Sequence, residues 1–312
     1  MPERVDVRSV LLVTNPLSGR GRGQVAGLAA ADRLRAHGIE VTEASGATAA
    51  ETIRHVRDRL TGAAVPDAVL CAGGDGLVCI TLQALAGSGV PLGLVPGGTG
   101  NDLARELGVP QDDPIAAADI VRNGTVRTID LGEVHTESGA SEPMRFATVA
   151  ATGFDARVTL RANRMRYPGG RLRYPLAALA ELAGGLAVPT RIELSGVPGH
   201  SATTLVETDA VMVAVGNTRT YGGGMLICPD ALVDDGLLDV SVVGAISRVQ
   251  MVRLLPVIAS GRRVDHPAIS QYRAAQVRVV ASGTPATADG EPVGVLPATV
   301  RALAGAQTVL VA

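Results

Sequence analysis

Residues 68–76 read Ala-Val-Leu-Cys-Ala-Gly-Gly-Asp-Gly, and residues 92–102 read Leu-Gly-Leu-Val-Pro-Gly-Gly-Thr-Gly-Asn-Asp. Each stretch is a short apolar run that ends in a glycine-rich turn before a helix-compatible segment. Such turns let backbone N–H groups approach an anion closely, and a helix start adds partial positive charge. Because parallel strands end at one edge of a sheet, both turns predict one phosphate-binding crevice. Asp75 and Asp102 could serve the magnesium that accompanies such phosphates.

The composition indicates a two-domain globular chain of 312 residues, 46% of them apolar and only 2% aromatic. The formal net charge of −2 gives no overall field for nucleic acid, so no nucleic-acid partner is expected. All 28 basic residues are arginine. The absence of lysine excludes a Walker P-loop lysine, a protein-kinase strand lysine and Schiff-base chemistry.

The cysteines and the apolar segments indicate the cellular compartment in which the protein works. Cys71, Cys79 and Cys228 have no CxxC spacing, so neither a disulfide framework nor a zinc site is expected, and a reducing compartment fits. The first residues contain no apolar core of a signal peptide. No apolar stretch reaches the roughly 20 residues needed to cross a bilayer. The sequence therefore predicts a soluble protein that reaches any lipid substrate from the membrane surface.

Residues 9–130 alternate strand-like and helix-like segments. Thr48 and Glu51 have the spacing of a capping box, which predicts a helix beginning there. The expected strands are Ser9–Thr14, Ile39–Thr42, Ala68–Cys71 and Leu92–Val95, and further helices are expected at Gln24–His37 and Pro114–Arg122. This rhythm predicts an open, mostly parallel sheet with helices on both faces.

Residues 131–312 have a different pattern, in which short β-like runs dominate. The runs are Arg145–Thr152, Thr190–Leu194, Leu205–Val215, Leu237–Val243, Gln276–Ala281 and Thr299–Ala302, and the helical candidates are Ala156–Arg166, Leu172–Leu186 and Ser247–Ile258. Such a pattern is typical of an antiparallel β-sandwich with a few added helices. We therefore expect two domains, 1–130 and 131–312, with the extreme C-terminus able to pack back on the first.

The two glycine motifs together resemble the diacylglycerol kinase catalytic family, which includes bacterial diacylglycerol kinases and the sphingosine and ceramide kinases. The first motif, residues 73–76, also resembles a turn of NAD kinases and some phosphofructokinases. The second, which continues through residues 99–105 as Thr-Gly-Asn-Asp-Leu-Ala-Arg, is far more specific to the lipid kinases. The resemblance spans most of the chain. It implies a Rossmann-like nucleotide domain followed by an antiparallel β-sandwich domain, with the active site in the interdomain cleft.

The resemblance also implies a nucleotide site for ATP. Its residues would be Asn15, Pro16, Ser18, Gly19, Thr42, Gly73, Gly74, Asp75, Gly76 and Thr99. From the residues alone, the 15–19 segment fits a plain surface loop equally well, and Thr42 fits a strand end. Leu77 and Cys79 depart from the family pattern, in which Thr and Asn are common. The lost hydroxyl would weaken nucleotide contact or shift donor preference.

Acidic residues would complete the catalytic machinery that the resemblance implies. Glu291, in the Asp289-Gly290-Glu291 turn, would be the general base, and Asp102 and Asp130 would join the water network around the ions. Asp235 would hold Mg²⁺, and the backbone carbonyls of Leu232 and Leu237 would complete the ligand set. Taken singly, an Asp-Gly pair is most often a hairpin turn.

Two further regions resemble the family or a lipid-binding surface. The glycine turns at 153–156 and 216–225 would shape the lipid headgroup site, although ordinary tight turns explain them too. The segment Arg157–Arg173 holds six arginines and precedes an apolar stretch, Tyr174–Val188. It would dock on anionic lipid heads, or else form a solvated helix face.

These observations predict an ATP- and Mg²⁺-dependent lipid kinase. It would phosphorylate a hydroxyl of diacylglycerol or a related lipid, in the cytoplasm and peripherally at the inner membrane surface. A homodimer is compatible with this interpretation. The alternatives are an NAD kinase-like small-alcohol kinase, or a nucleotide- or lipid-binding protein that has lost catalysis.

Overall fold

The computed structural model describes residues 3–15, 21–138, 142–165, 167, 173–182 and 184–312. The chain divides into two compact units. The first unit comprises Met1–Asp130 and Ala304–Ala312, and the second unit comprises Leu131–Leu303. The C-terminal residues therefore belong to the first unit. None of the helices in the described ranges is long and apolar enough to span a bilayer.

The first unit alternates strands and helices in chain order. Its strands are β1 (Glu3–Arg4), β2 (Ser9–Thr14), β3 (Glu40–Glu43), β4 (Ala68–Gly73), β5 (Leu92–Pro96) and the first part of β6 (Thr125–Thr136). Its helices are α1 (Arg22–Ala36), α2 (Ala49–Thr61), α3 (Asp75–Leu85), α4 (Asp102–Glu106) and α5 (Pro114–Asn123). This order confirms the predicted α/β rhythm.

The central strands of the first unit form a parallel sheet in the order β3-β2-β4-β5. The end of the last strand, β18 (Ala298–Leu310), joins β5 in parallel through Val309 and Leu92. Helices α1 and α5 pack together, as do α2 and α3, and both pairs contact the sheet. Because β3 and β4 lie on opposite sides of β2, the strand order reverses at β2. In open α/β sheets, ligands bind beyond the carboxyl ends of the strands at such a reversal.

Local signals in the first unit form as the sequence predicts. The Thr48 side chain accepts the Glu51 N–H while the Glu51 carboxylate accepts the Thr48 N–H, so the capping box begins α2. Asp113 caps α5, whose first residue is proline, and Gly124 ends that helix in the left-handed region. The strands β2 and β4 are almost wholly buried, as runs of apolar residues between two helical layers must be.

The second unit is rich in antiparallel strands. They are the rest of β6, then β7 (Met144–Phe146), β8 (Val149–Gly153), β9 (Val188–Ser195), β10 (Thr204–Gly216), β11 (Thr220–Tyr221), β12 (Met225–Leu226), β13 (Leu238–Gly244), β14 (Ile269–Ala274), β15 (Gln276–Val280), β16 (Pro285–Ala288), β17 (Glu291–Val295) and the start of β18. Its helices are α6 (Phe154–Arg164), α7 (Arg173–Glu181) and α8 (Arg248–Ala259).

Strand β10 organises this sandwich because its two halves pair differently. Its first half pairs with β9, and its second half pairs with β8 and β13. The interior is a cluster of buried aliphatic side chains, including Ile192, Leu194, Val213, Val240 and Val277. Helices α6, α7 and α8 contribute to a second apolar cluster with other buried residues of β8, β10 and β13. The predicted antiparallel sandwich with a few added helices is confirmed.

Three predicted elements differ from the observed ones. The run Arg145–Thr152 is broken into β7 and β8, because the Asp289 carboxylate holds the backbone N–H groups at the break. The predicted helix Leu172–Leu186 ends already at Glu181, where the Gly184 N–H bonds the Glu181 carbonyl. The predicted strand Thr299–Ala302 extends to Leu310 and enters the first unit.

Candidate active site

The glycine turns of the first unit meet backbone to backbone where β4 and β5 end. The Gly97 N–H donates to the Gly73 carbonyl at 2.8 Å. A Cβ placed on Gly98 would overlap the Cα of Gly74, and a Cβ on Gly97 would lie 2.5 Å from the Cα of Gly23 in α1. Only glycine permits such close approach. The two predicted phosphate loops and the start of α1 therefore form one continuous backbone surface.

Asp75 ties the two loops together. Its Oδ1 accepts the Asp102 N–H at 2.6 Å, so the first helical residue of α3 also supports the start of α4. Asn101 adopts a left-handed conformation with φ of 53°, and its Oδ1 accepts the Gly98 N–H at 2.9 Å. The carboxylate that the sequence assigns to the nucleotide thus also has a structural task.

The buried carboxylates Asp102 and Asp130 are both engaged within the first unit. Each side chain is almost inaccessible to solvent. Asp102 pairs with Arg105 at 2.8 Å, and Arg105 also donates to the Gly100 carbonyl. Asp130 accepts the Gly305 N–H at 2.7 Å, which holds the returning C-terminal strand. Both predicted catalytic carboxylates therefore occupy fixed positions.

The other predicted nucleotide residues have varied surroundings. Thr99 is exposed, and Asn15 and Gly76 are half-buried. The Thr42 hydroxyl accepts a hydrogen bond from Arg59 at 2.9 Å. Pro16, Ser18 and Gly19 lie outside the described residues. The structure therefore joins residues 73–76 to the 96–102 loop directly.

Leu77 and Cys79, which replace the usual Thr and Asn, are buried in α3. The Leu77 side chain packs against Gly73, where a Cβ on the glycine would lie 2.8 Å from Leu77 Cδ2. The leucine therefore fills the interior beneath the first phosphate loop. This packing gives the loop at residues 73–76 apolar support.

Leu77→Thr is expected to lower the free energy of unfolding by about 1–3 kcal/mol, because it removes buried volume and buries a hydroxyl. Affinity for ATP should not rise, because the restored hydroxyl comes with the loss of the apolar packing against Gly73. Urea unfolding and nucleotide titration measure the two quantities. Leu28→Thr, at a solvent-exposed position of α1, is the control for the change in helix propensity. A gain in ATP affinity for Leu77→Thr would contradict this interpretation.

The Asp289-Gly290-Glu291 turn of the second unit is held rigidly. The Asp289 carboxylate accepts the N–H groups of Ala147, Thr148 and Val149 at 2.8–3.3 Å and the Thr148 hydroxyl at 2.5 Å. Burial raises the pKa of Asp289, whereas these hydrogen bonds lower it. Asp289 and Gly290 both have positive φ. The turn therefore begins β17 with a fixed backbone.

Glu291 is solvent-exposed at the first position of β17. The side chain of Asn163, near the end of α6, donates to the Gly290 carbonyl at 3.1 Å. Sequence reasoning missed Asn163 and Thr148, because both act across more than a hundred residues and belong to no local motif. Together with Asp289 they fix the backbone of the turn that carries the Glu291 carboxylate.

The acidic turn before β13 is already neutralised in part. Asp235 pairs with Arg273, and its other oxygen accepts the Leu237 N–H at 3.1 Å. Among the described residues, no group of three or more His, Cys, Asp or Glu is placed to hold a metal ion. Both oxygens of the Asp235 carboxylate are therefore engaged by protein groups, and the assignment of Asp235, Leu232 and Leu237 to Mg²⁺ stays a prediction.

A second polar pair lies at the start of α6. The Tyr221 hydroxyl, beside the glycines of the β11–β12 hairpin, donates to the Asp155 carboxylate at 2.6 Å. Burial raises the pKa of Asp155 to about 6, although the tyrosine hydrogen bond lowers it. Gly222, Gly223 and Gly224 all have positive φ, so the hairpin needs glycine there.

The raised pKa of Asp155 predicts a pH dependence. Between the ordinary carboxyl pKa of 3.8 and about 6, the folded chain binds a proton that the unfolded chain releases. Stability therefore falls as the pH rises through this range. We expect Asp155→Asn to remove this loss, on the order of 1–3 kcal/mol between pH 4 and 7. Urea unfolding measures it, with exposed Asp209→Asn as control; equal pH dependence in wild type and Asp155→Asn would contradict it.

Comparisons with known proteins agree with this geometry. Residues 9–134 match the diacylglycerol kinase catalytic domain, and residues 148–311 match the YegS C-terminal NAD kinase beta sandwich-like domain. A diacylglycerol kinase of Mycobacterium tuberculosis is 45% identical over 310 residues, which cover 98% of this chain and 96% of that protein. A diacylglycerol kinase of Bacillus subtilis is 28% identical over 235 residues, 74% of this chain and 73% of that one.

The fold is shared with solved structures. A crystal structure of a diacylglycerol kinase from Bacillus anthracis has a TM-score of 0.72 over 99% of this chain and 98% of that chain, at 21% identity. The sequence matches cover both units. The chain belongs to the diacylglycerol kinase family of ATP-dependent lipid kinases.

Proposed function

We propose that the chain transfers the γ-phosphoryl group of ATP to a hydroxyl of diacylglycerol or a related lipid alcohol. The observation that carries this proposal is the direct backbone contact between the glycine turns at 73–76 and 96–100. Backbone N–H groups at strand-to-helix turns suit phosphate oxygens, and this chain has no lysine to bind them instead. Membership of the lipid kinase family supports the same reaction.

The nucleotide is assigned to the first unit. Gly73, Gly74, Asp75 and Gly76 would receive the phosphates, and Thr99 would add a hydroxyl. The family resemblance adds contacts from Asn15, Pro16, Ser18, Gly19 and Thr42. Magnesium on the ATP phosphates would supply positive charge that offsets theirs during transfer. Asp102 and Asp130 would hold ordered water beside the phosphates.

The role of general base is assigned to Glu291, whose carboxylate would take the proton of the lipid hydroxyl. As that oxygen bonds to the γ-phosphorus, the bond from the γ-phosphorus to the β–γ bridging oxygen breaks, and ADP leaves with the electron pair. The support is the exposure of Glu291 on a turn that Asp289 and Asn163 hold in place. Phosphoryl transfer needs such positioning and proton removal more than covalent help.

We further propose that the outward face of α7 contacts the membrane that holds the lipid. Leu176 and Leu179 are 42% and 57% exposed there, although Ala177 and Ala178 on the opposite face are buried. An exposed apolar helix face beside arginines of α6 has the character of a surface helix on anionic lipid. The pairs of Arg157 and Arg161 with Glu181 fix those two arginines against α7.

Replacing both Leu176 and Leu179 with aspartate is expected to reduce binding to anionic liposomes at least about tenfold, because it places charge on the apolar face. Co-sedimentation with vesicles measures binding. The control is Leu205→Asp, a similarly exposed leucine on β10. Equal binding by the variant and the control would remove α7 from the membrane contact, and equal binding to neutral vesicles would remove the electrostatic part.

The function is tested by incubating the protein with radiolabelled ATP, magnesium and a panel of lipid alcohols in mixed micelles, beside a reaction with NAD. Label in phosphatidic acid or another phospholipid is the expected result. Label in NADP would instead support the alternative of an NAD kinase-like enzyme. ATP binding without any transfer would support the alternative of a lapsed catalyst. Light scattering on the same sample tests the homodimer.

A further inference from the structure

Two arginines form ion pairs with the acidic turn that precedes β13. Asp230 forms a bidentate salt bridge with Arg263, in which both N–O distances are 2.9 Å. Arg273 pairs with Asp235, and its Nε lies 3.4 Å from Asp239 Oδ2. One guanidinium therefore bridges two carboxylates that belong to the same turn and strand.

The sheet register fixes the place of Arg273. Asp239 in β13 and Arg273 in β14 are direct partners in the antiparallel ladder. Opposite charges at such positions stabilise a strand pair, because their side chains leave the sheet on the same face. Arg273 therefore reaches Asp235 from a rigid strand. The pairing of β13 with β14 is enough to place the Arg273 guanidinium beside the acidic turn.

Asp239 has a strong need for this cation. Its side chain is only 6% exposed, and its Oδ2 makes no hydrogen bond. A buried carboxylate without a compensating charge is costly. Removing one partner of a buried ion pair therefore destabilises the fold more than removing one partner of an exposed ion pair.

We propose that Arg273 is the built-in cation of this turn and takes the place for which the family resemblance implied Mg²⁺ at Asp235. The second unit then folds and keeps its acidic turn closed without a divalent ion. The inference concerns the resident charge of the turn and does not depend on the identity of the phosphate acceptor. Magnesium that arrives with ATP is a separate matter.

The test measures thermal unfolding of the full chain without nucleotide, in EDTA and in millimolar MgCl₂. Wild type is expected to unfold at the same temperature in both. Arg273→Met should unfold roughly 4 °C or more lower in EDTA and regain most of that loss in MgCl₂, because the vacated carboxylates attract a hard cation. Arg273→Met with Asp235→Asn should lose the response to magnesium.

The control is Arg278→Met, which removes an arginine of nearly equal exposure that pairs with Glu137, directly after the end of β6. It should show no response to magnesium. If wild type unfolded several degrees lower in EDTA than in MgCl₂, the proposal would be overturned. This comparison uses wild type alone and does not depend on any variant folding. A loss in Arg273→Met that magnesium does not restore would also overturn it, because the arginine would then not stand in a cation's place.

Discussion

Replacing Glu291 with glutamine is expected to lower turnover with diacylglycerol roughly 100- to 10,000-fold while ATP affinity is retained, because the amide cannot accept the proton of the alcohol. The turn itself should survive, since the Asp289 carboxylate accepts backbone N–H groups of Ala147 and Thr148 and Asn163 donates to the Gly290 carbonyl, and neither contact uses the Glu291 side chain. Initial rates with labelled ATP in mixed micelles measure turnover. Equilibrium titration with ATP measures binding.

The control for Glu291→Gln is Glu207→Gln, an equally conservative change of an exposed glutamate on β10. It should leave turnover unchanged. If Glu291→Gln kept more than half of the wild-type turnover, the assignment of the general base would be wrong. If it lost ATP binding together with turnover, Glu291 would instead act on the nucleotide or on the fold.

The local parts of the fold could be predicted from the sequence because their causes are local. A strand that ends in glycines, or a threonine three residues before a glutamate, determines its own backbone. The capping box at Thr48 and the turn at 73–76 accordingly form where the sequence places them. The alternation of apolar runs likewise predicted the change from an α/β domain to a sandwich.

The supports of the candidate site could not be predicted, because they depend on partners far away in the chain. Asp289 divides β7 from β8 by bonding backbone groups about 140 residues earlier. Arg273 meets Asp239 only through the register of two strands. Neither residue belongs to a spacing rule that a single sequence discloses. Motifs thus indicate candidate reacting groups, and tertiary pairing determines what holds them.

The departures at Leu77 and Cys79 illustrate the same division. The sequence records the loss of a hydroxyl beside the phosphate loop. The structure adds that Leu77 packs under Gly73, where the loop needs support from below. Backbone N–H groups and not side chains are then the main phosphate ligands in the proposal, which suits a chain that lacks lysine. Their geometry therefore becomes the most sensitive part of the nucleotide site.

Gly98→Ala is expected to destroy ATP binding at concentrations that saturate wild type and to lower the free energy of unfolding by about 1–3 kcal/mol. The new Cβ would overlap the Cα of Gly74 and lie 2.8 Å from Asn101 Oδ1. The end of a flexible side chain could move away from the new Cβ. The backbone atoms of this loop cannot, because Asp75 fixes the loop. The two phosphate loops must separate, and their N–H groups lose a common target.

Gly185→Ala is the control for Gly98→Ala, because a Cβ there meets no atom within 4 Å. Both variants lose the same backbone freedom in the unfolded chain, so the difference between them reports the contact of the loops. Nucleotide titration and urea unfolding on all three proteins separate binding from stability. If Gly98→Ala bound ATP as wild type does, the close approach of Gly74 and Gly98 would not be the basis of the nucleotide site.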